Sequence, residues 1–224
     1  MKKQLGILLL LLVALTSRAD LTNLTVSVTN NTVIPDANPV GISSTLNVSG
    51  MSGITTNLTV NLNITGGFNG DLYAFLVSPT GTMVVLLNRV GMGSSNPYGS
   101  ADSGFNITLD SASSSNIHDY QSGSYTLNGG GQLTGTWAPD TRTNSPIADP
   151  SVFDLGLTGN TLANYNGLDP NGVWTLFVAD LSGGGESTLV SWGLTVVTVP
   201  EPQTWTILGG SLAAFWLMSR NRRK

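Results

Sequence analysis

Between residues 54 and 64 apolar and polar positions alternate. Ile54, Leu58, Val60, Leu62 and Ile64 share one parity, while Asn57, Thr59, Asn61 and Asn63 take the other. Successive side chains of a strand point to opposite faces, so this segment predicts a strand with one buried and one wet face. Residues 72–77 are apolar on both parities and predict a strand covered on both sides. Residues 82–87 follow across Pro79-Thr80-Gly81, and 173–179 and 189–197 are two further strands. Shorter patterned segments lie at 24–28, 44–48, 105–109, 124–127, 133–137 and 152–157. Asn-Gly pairs at 69–70, 128–129, 166–167 and 171–172 supply the positive φ that hairpin turns require. No sustained helical period and no internal repeat interrupts the series. The pattern predicts an all-β sandwich of about eight strands. Long loops are expected in the Ser/Gly/Asn/Asp-rich stretch 88–150, and the domain is expected to end at Val199-Pro200.

The two ends break this pattern. Lys2 and Lys3 precede an apolar run from Leu5 to Leu15, and Ser17-Arg18-Ala19 supplies small residues where a signal peptidase cuts. This reads as a signal helix over 1–19, cleaved between Ala19 and Asp20, and it implies export. At the other end, the 14 residues from Trp205 to Met218 carry no charge. As a helix they reach about 21 Å, against a hydrocarbon core of roughly 30 Å, so they are short for a permanent anchor. Snorkelling basic side chains or a locally thinned bilayer could close the gap. The positive-inside rule keeps Arg220, Arg222, Arg223 and Lys224 in the cytoplasm. Pro200-Glu201-Pro202, the short apolar stretch and the basic cluster follow one another in that order. Together they resemble the PEP-CTERM sorting signal of Gram-negative bacteria. The resemblance implies an exosortase-type enzyme that processes the chain near Pro-Glu-Pro. It also implies brief residence in the inner membrane on a short C-terminal hydrophobic helix, then delivery to the cell surface or extracellular matrix. The tail spans 199–224.

Assigning both ends to targeting changes the charge balance. Seven of the nine basic residues sit in the termini, so residues 20–199 keep only Arg89 and Arg142 against twelve acids, a net −10 with no Lys. Such a body repels phosphate backbones, which excludes nucleic acid as a partner, and it attracts cations. There is no Cys, and the remaining length suffices for one buried core without disulfides.

Two stretches of the body, "GDLYAFLVSPTGTMVVLL" and "NGVWTLFVADLSGGGESTLVSWGLTV", are similar to the P domain (homo B domain) of subtilisin/kexin-type proprotein convertases. The matching positions are Asp71, Leu72, Ser78, Pro79, Gly81 and Thr82, then Gly172, Trp174, Leu176, Asp180, Gly184 and Trp192. The resemblance extends over about 22–198 and implies a jelly-roll β-sandwich. Members often carry a His shortly before the Asp-Leu pair, where this chain has Phe68-Asn69-Gly70, so any role of that His is absent. In the convertases this domain supports a catalytic domain that is missing here.

The residues themselves argue against catalysis. A Ser-His-Asp triad needs a base, and the one His, His118, lies in the polar stretch and reads as a surface loop residue. Asp119 beside it makes no convincing orienting partner. There is no Gly-x-Ser-x-Gly elbow, and the only Glu of the body is Glu186, so no Glu pair for glycoside hydrolysis is present. Trp137, Trp174 and Trp192 suit core or hairpin positions better than a sugar-stacking groove. Two functional classes remain. One is a non-catalytic binding or structural module at the cell envelope or matrix, with extracellular polysaccharide among its candidate ligands. The other is an accessory domain for an exported subtilisin-type protease on another chain.

One candidate site follows. If 173–179 and 189–197 form a hairpin, Asp180 and Glu186 flank its turn. An antiparallel neighbour at 71–78 then brings Asp71 to the same rim, with Asp102 and Asp110 in the acidic loop within reach. Oxygen ligands without His or Cys suit calcium, and extracellular modules need only weak sites. The plainer alternative is that Asp71 and Asp180 cap turns by accepting backbone N–H bonds.

Overall fold

Nine strands form within residues 22–199, the part of the chain that the computed structural model describes. They are β1 (Thr22–Ile34), β2 (Asn38–Val48), β3 (Ile54–Gly66), β4 (Leu72–Val77), β5 (Met83–Asn88), β6 (Gly104–Leu109), β7 (Leu133–Trp137), β8 (Gly172–Asp180) and β9 (Ser187–Val199). One sheet runs in the order β1-β9-β3-β6-β7, the other in the order β2-β8-β4-β5. Without β7 these are two antiparallel four-stranded sheets whose consecutive strands mostly switch sheets, which is jelly-roll wiring. β7 is an addition, joined parallel to β6 with Phe105 opposite Leu133 and Leu109 opposite Trp137. The described residues stop short of the signal segment, the Ala19–Asp20 cut and the whole tail from Pro200 to Lys224, so those expectations lie outside them. Within them no helix is long and apolar enough to cross a membrane.

Parity carries through from chain to core. In β3, Leu58, Val60, Leu62 and Ile64 are buried and pair across to Val196, Leu194, Trp192 and Leu189 of β9, which are also buried. In β8, Trp174, Leu176 and Val178 face inward while Val173 and Thr175 face out. The Trp174 ring stands edge-on to Tyr165 at 4.9 Å and donates its indole N–H to the carbonyl of Pro170 at 2.9 Å. Trp192 bridges the two sheets by donating to Ser44 Oγ at 2.8 Å. Large rings of this kind supply most of the burial free energy at such positions, with a polar tip that needs a partner.

Several expectations change. Residues 173–179 and 189–197 do not form a hairpin. β8 is flanked by β2 and β4 and β9 by β1 and β3, so the 181–186 connection crosses between sheets. Local pattern cannot separate the two arrangements, because either buries the same parity. The 152–157 segment is a 3-10 turn, Pro150–Leu155, capped by Asp149, whose carboxylate accepts from Ser151 N–H. Residues 124–127 supply only a bridge from Leu127 to Leu133. The Asn-Gly pairs close no two-residue hairpins among the described residues. Asn69-Gly70 opens a buried 3-10 turn, and Gly70 is required because a Cβ there would collide with the carbonyl of Tyr98. The tight hairpin is Ser78–Thr82 between β4 and β5. Gly81 there has φ +87°, and Ser78 Oγ accepts from Thr82 N–H at 3.1 Å.

Candidate functional site

β4 and β8 run antiparallel with Leu72 opposite Asp180, which places Asp71 beside Asp180 at one end of the four-stranded sheet. The backbone ties them, with Leu181 N–H donating to the Asp71 carbonyl at 2.9 Å. Beside Asp71 lies Arg89, at 3.6 Å and buried with it. Arg89 donates Nε–H to the carbonyl of Gly70 at 2.6 Å and Nη2–H to Ser182 Oγ at 2.8 Å. Asp36, from the β1–β2 turn, approaches the same acids and accepts from Gly184 N–H at 3.3 Å.

Burial governs this rim. It pushes the Asp71 carboxyl up, with Arg89 partly opposing the shift, and it pushes Asp180 up to about 6. Burial also lowers the Arg89 guanidinium, against the pull of Asp71 and Asp180. Asp180 is fully buried, and its Oδ2 has no protein hydrogen-bond partner. A carboxyl in that setting holds a proton well above the ordinary range.

The five acids expected to share a calcium ion are not assembled. Asp71 and Asp180 meet, but Asp71 already has its cation in Arg89. Asp102 lies at the same end, yet its Oδ2 accepts from Tyr120 O–H at 2.7 Å and from Gln121 at 3.2 Å. Asp110 follows Leu109 at the far end of the six-residue β6, about 20 Å away at 3.3 Å per residue, and accepts from Ala112 N–H. Glu186 is exposed on the crossing between sheets. Among the described residues no group of three His, Asp or Glu side chains converges as a metal would need. These side chains therefore do not fit the site that the hairpin assumption required.

His118 is likewise not a surface residue. It is 3% exposed and stacks on Phe153. Nδ1 lies 2.7 Å from Asp140 Oδ2, and Nε2 donates to the carbonyl of Met92 at 2.9 Å. Asp140 is fully buried, accepts from Asn88 N–H at 3.0 Å through the same oxygen, and pairs through Oδ1 with Arg142 at 3.1 Å. In a triad the second ring nitrogen must take a proton from a nucleophile. Here that nitrogen is committed to a backbone carbonyl, so the group fastens the 110–142 segment against β5. Asp36, Arg89 and Asp140 escaped the reading of the chain. A signal was present: with only two cations in the body, each Arg was bound to be sought by acids, and both are.

The outer face of the five-stranded sheet is different. A hollow of ≈380 Å³ crosses it, lined from β1 to β7 by Ser27, Ser191, Asn61, Asn63, Asn106 and Thr136 among others. A second hollow of ≈340 Å³ lies at the rim, between Phe68, Asp71, Tyr98 and Ser182.

With this geometry in view, comparison with known proteins adds the following. The family model described as the proprotein convertase P-domain matches residues 55–138, from β3 through β7. No curated protein sequence matches the chain. Among solved structures, the Aeromonas sobria serine protease in complex with its chaperone aligns at a TM-score of 0.45 and 18% identity. That alignment takes in 80% of this chain and 27% of that one. The same protease alone aligns at 0.44 and 16%, with the same coverage. The chain thus spans about a quarter of the length of these chains.

The motif positions that resemble the P domain have structural work in this fold. Ser78 and Gly81 shape the β4–β5 turn. Gly172, at φ +125°, lies against Pro79, where a Cβ would come within 2.8 Å. Trp174, Leu176 and Trp192 fill the core, Asp71 pairs with Arg89, and Asp180 Oδ1 accepts from Ser182 N–H at 3.3 Å.

Proposed function

We propose that this protein is a non-catalytic binding or structural module of the P-domain type. In this reading it is exported across the inner membrane of a Gram-negative bacterium. A PEP-CTERM tail then passes it to an exosortase-type enzyme, after a brief stay in the membrane, for delivery to the cell surface or extracellular matrix. The observation that carries the reading is the P-domain family match over 55–138, on a two-sheet sandwich whose motif residues serve turns and core. The signal-like N-terminus and the ordered Pro-Glu-Pro, apolar and basic segments support export and sorting. Fractionating cells that express the full chain, with mass spectrometry of both termini, tests it. The reading expects a surface or medium form that starts at Asp20 and ends near Glu201 or Pro202. A cytoplasmic chain with Met1 intact, or an extracellular form retaining Arg222-Arg223-Lys224, contradicts it.

The family match also favours a second reading, an accessory domain for an exported subtilisin-type protease on another chain. Co-expression with such a protease lacking its own P domain then raises the yield of active secreted enzyme. An unchanged yield counts against this reading.

A further inference from the structure

The five strands of the larger sheet contain no Asp, Glu, Lys, Arg or His, in a body whose net charge is −10. Among the described residues the acids are confined to the rims, the connections and the end of β8. On the outer face, register aligns two neighbouring rows of small polar side chains. In one row Ser27, Gly193, Asn61, Thr108 and Thr136 lie opposite one another across five strands. In the next, Asn63 stands between Ser191 and Asn106. Gly193, second in the first row, leaves a gap there without a side chain, and the ≈380 Å³ hollow runs through this point. That volume falls within the range of small-ligand sites, about 300–1,000 Å³.

The polar groups of this hollow are oriented from behind. Gln132 is 8% exposed, and its amide N–H groups face three acceptors: the carbonyls of Ile64 and Phe105 and Asn63 Oδ1, at 2.8, 3.1 and 2.8 Å. Its own oxygen accepts from Asn128 at 2.9 Å, which fixes the amide orientation. Asn63 Oδ1 is therefore taken, and its NH₂ is left to the hollow. Asn61 is held the same way, with its oxygen accepting from Thr108 Oγ1 at 2.9 Å. Asn106 is exposed, and among the described residues its side chain has no hydrogen-bond partner. The floor thus offers amide donors, with hydroxyls that can donate or accept, and no ion.

We propose that this face binds a neutral, hydroxyl-rich polysaccharide, a proposal that rests on the reading of the protein as a binding module. Sugar hydroxyls both donate and accept, as amides and hydroxyls do, and a neutral ligand meets a neutral face with no charge to desolvate. A polyanion needs cations that the face lacks. The core of a protein interface is enriched in aromatic and Arg anchors, and none is exposed in this hollow.

Affinity electrophoresis of the full chain, through gels cast with dextran, hydroxyethylcellulose or galactomannan, tests the proposal. At least one neutral polymer retards the chain, equally at low salt and at half-molar salt, because no ion pair is screened. The Asn106→Ala/Ser191→Ala double variant breaks no bond within the fold, keeps the thermal midpoint and weakens retardation about tenfold. Asn63→Ala weakens it as well. Four results overturn the proposal: no retardation by any neutral polymer, equal retardation of the double variant, retention only by dextran sulfate and only at low salt, or a sedimentation change in the double variant that marks the face as self-associating. Export and terminal processing are read separately, so failure in the gels with correct processing removes the ligand and leaves the module reading standing.

Discussion

His118 and Asp140 form a buried pair, Nδ1 to Oδ2 at 2.7 Å, in which the remaining ring nitrogen is spent on the carbonyl of Met92. The pair joins the segment after β6 to the far end of β5, where Asn88 N–H donates to the same carboxylate. Removing the ring leaves a buried carboxylate short of a partner, which is the costly half of such a change. His118→Ala should therefore destabilise the protein by about 2–4 kcal/mol in urea unfolding. A loss below about 0.5 kcal/mol, the usual scale for surface changes, would return His118 to the surface.

Asp180 gives the protein a pH dependence of definite sign. Its folded carboxyl sits at about 6 against an ordinary 3.8, so between these values the folded state holds the proton more tightly than the unfolded chain. Its contribution is complete below pH 3.8 and is lost as pH rises through about 6, to a total of at most about 3 kcal/mol. Asp71 moves in the same direction. Asp180→Asn removes the titration while keeping the shape. Urea midpoints at pH 4.5 and pH 7.5 should converge for the variant relative to the parent. Identical pH dependence in the two would contradict the burial account.

Trp174 is fully enclosed between the sheets and packed on Tyr165. Truncating a buried aromatic loses its transfer free energy and leaves a cavity, so Trp174→Ala should cost about 3–5 kcal/mol. Equilibrium denaturation measures this directly, and a cost under about 1 kcal/mol would show the ring is dispensable.

At the rim Asp71 already pairs with Arg89 and Asp102 already accepts from Tyr120 and Gln121, while Asp110 and Glu186 lie elsewhere. Melting temperatures in millimolar calcium and in chelator, at matched ionic strength, should therefore agree. A rise specific to calcium would show that Arg89 yields its place to the ion.

The legible part of the fold was the part written in parity. The alternation in 54–64, the doubly apolar 72–77 and the pattern around Trp174 gave strands and buried faces because burial acts residue by residue. Partner choice was not legible. β8 and β9 follow each other and would satisfy the same parity as a hairpin, yet they lie in opposite sheets, a decision made by long-range pairing with β2, β4, β1 and β3. The candidate metal site inherited that error, since it needed Asp180 and Glu186 across one turn. What the two strong strands did settle was the meeting of Asp71 and Asp180, which depends only on β4 lying antiparallel to β8. Arg89 was missed because a lone cation in a polar loop has no period. It is found by asking where a nearly cation-free acidic body would place it.

As proposed above, this sandwich binds and does not catalyse. The most direct measurement is turnover by the purified protein of peptide, ester and glycoside substrates between pH 5 and 9, beside His118→Gln. The account predicts no turnover above blank for either protein. Turnover by the parent that disappears in His118→Gln would contradict it, by showing that the ring nitrogen now held on the Met92 carbonyl is free to act as a base.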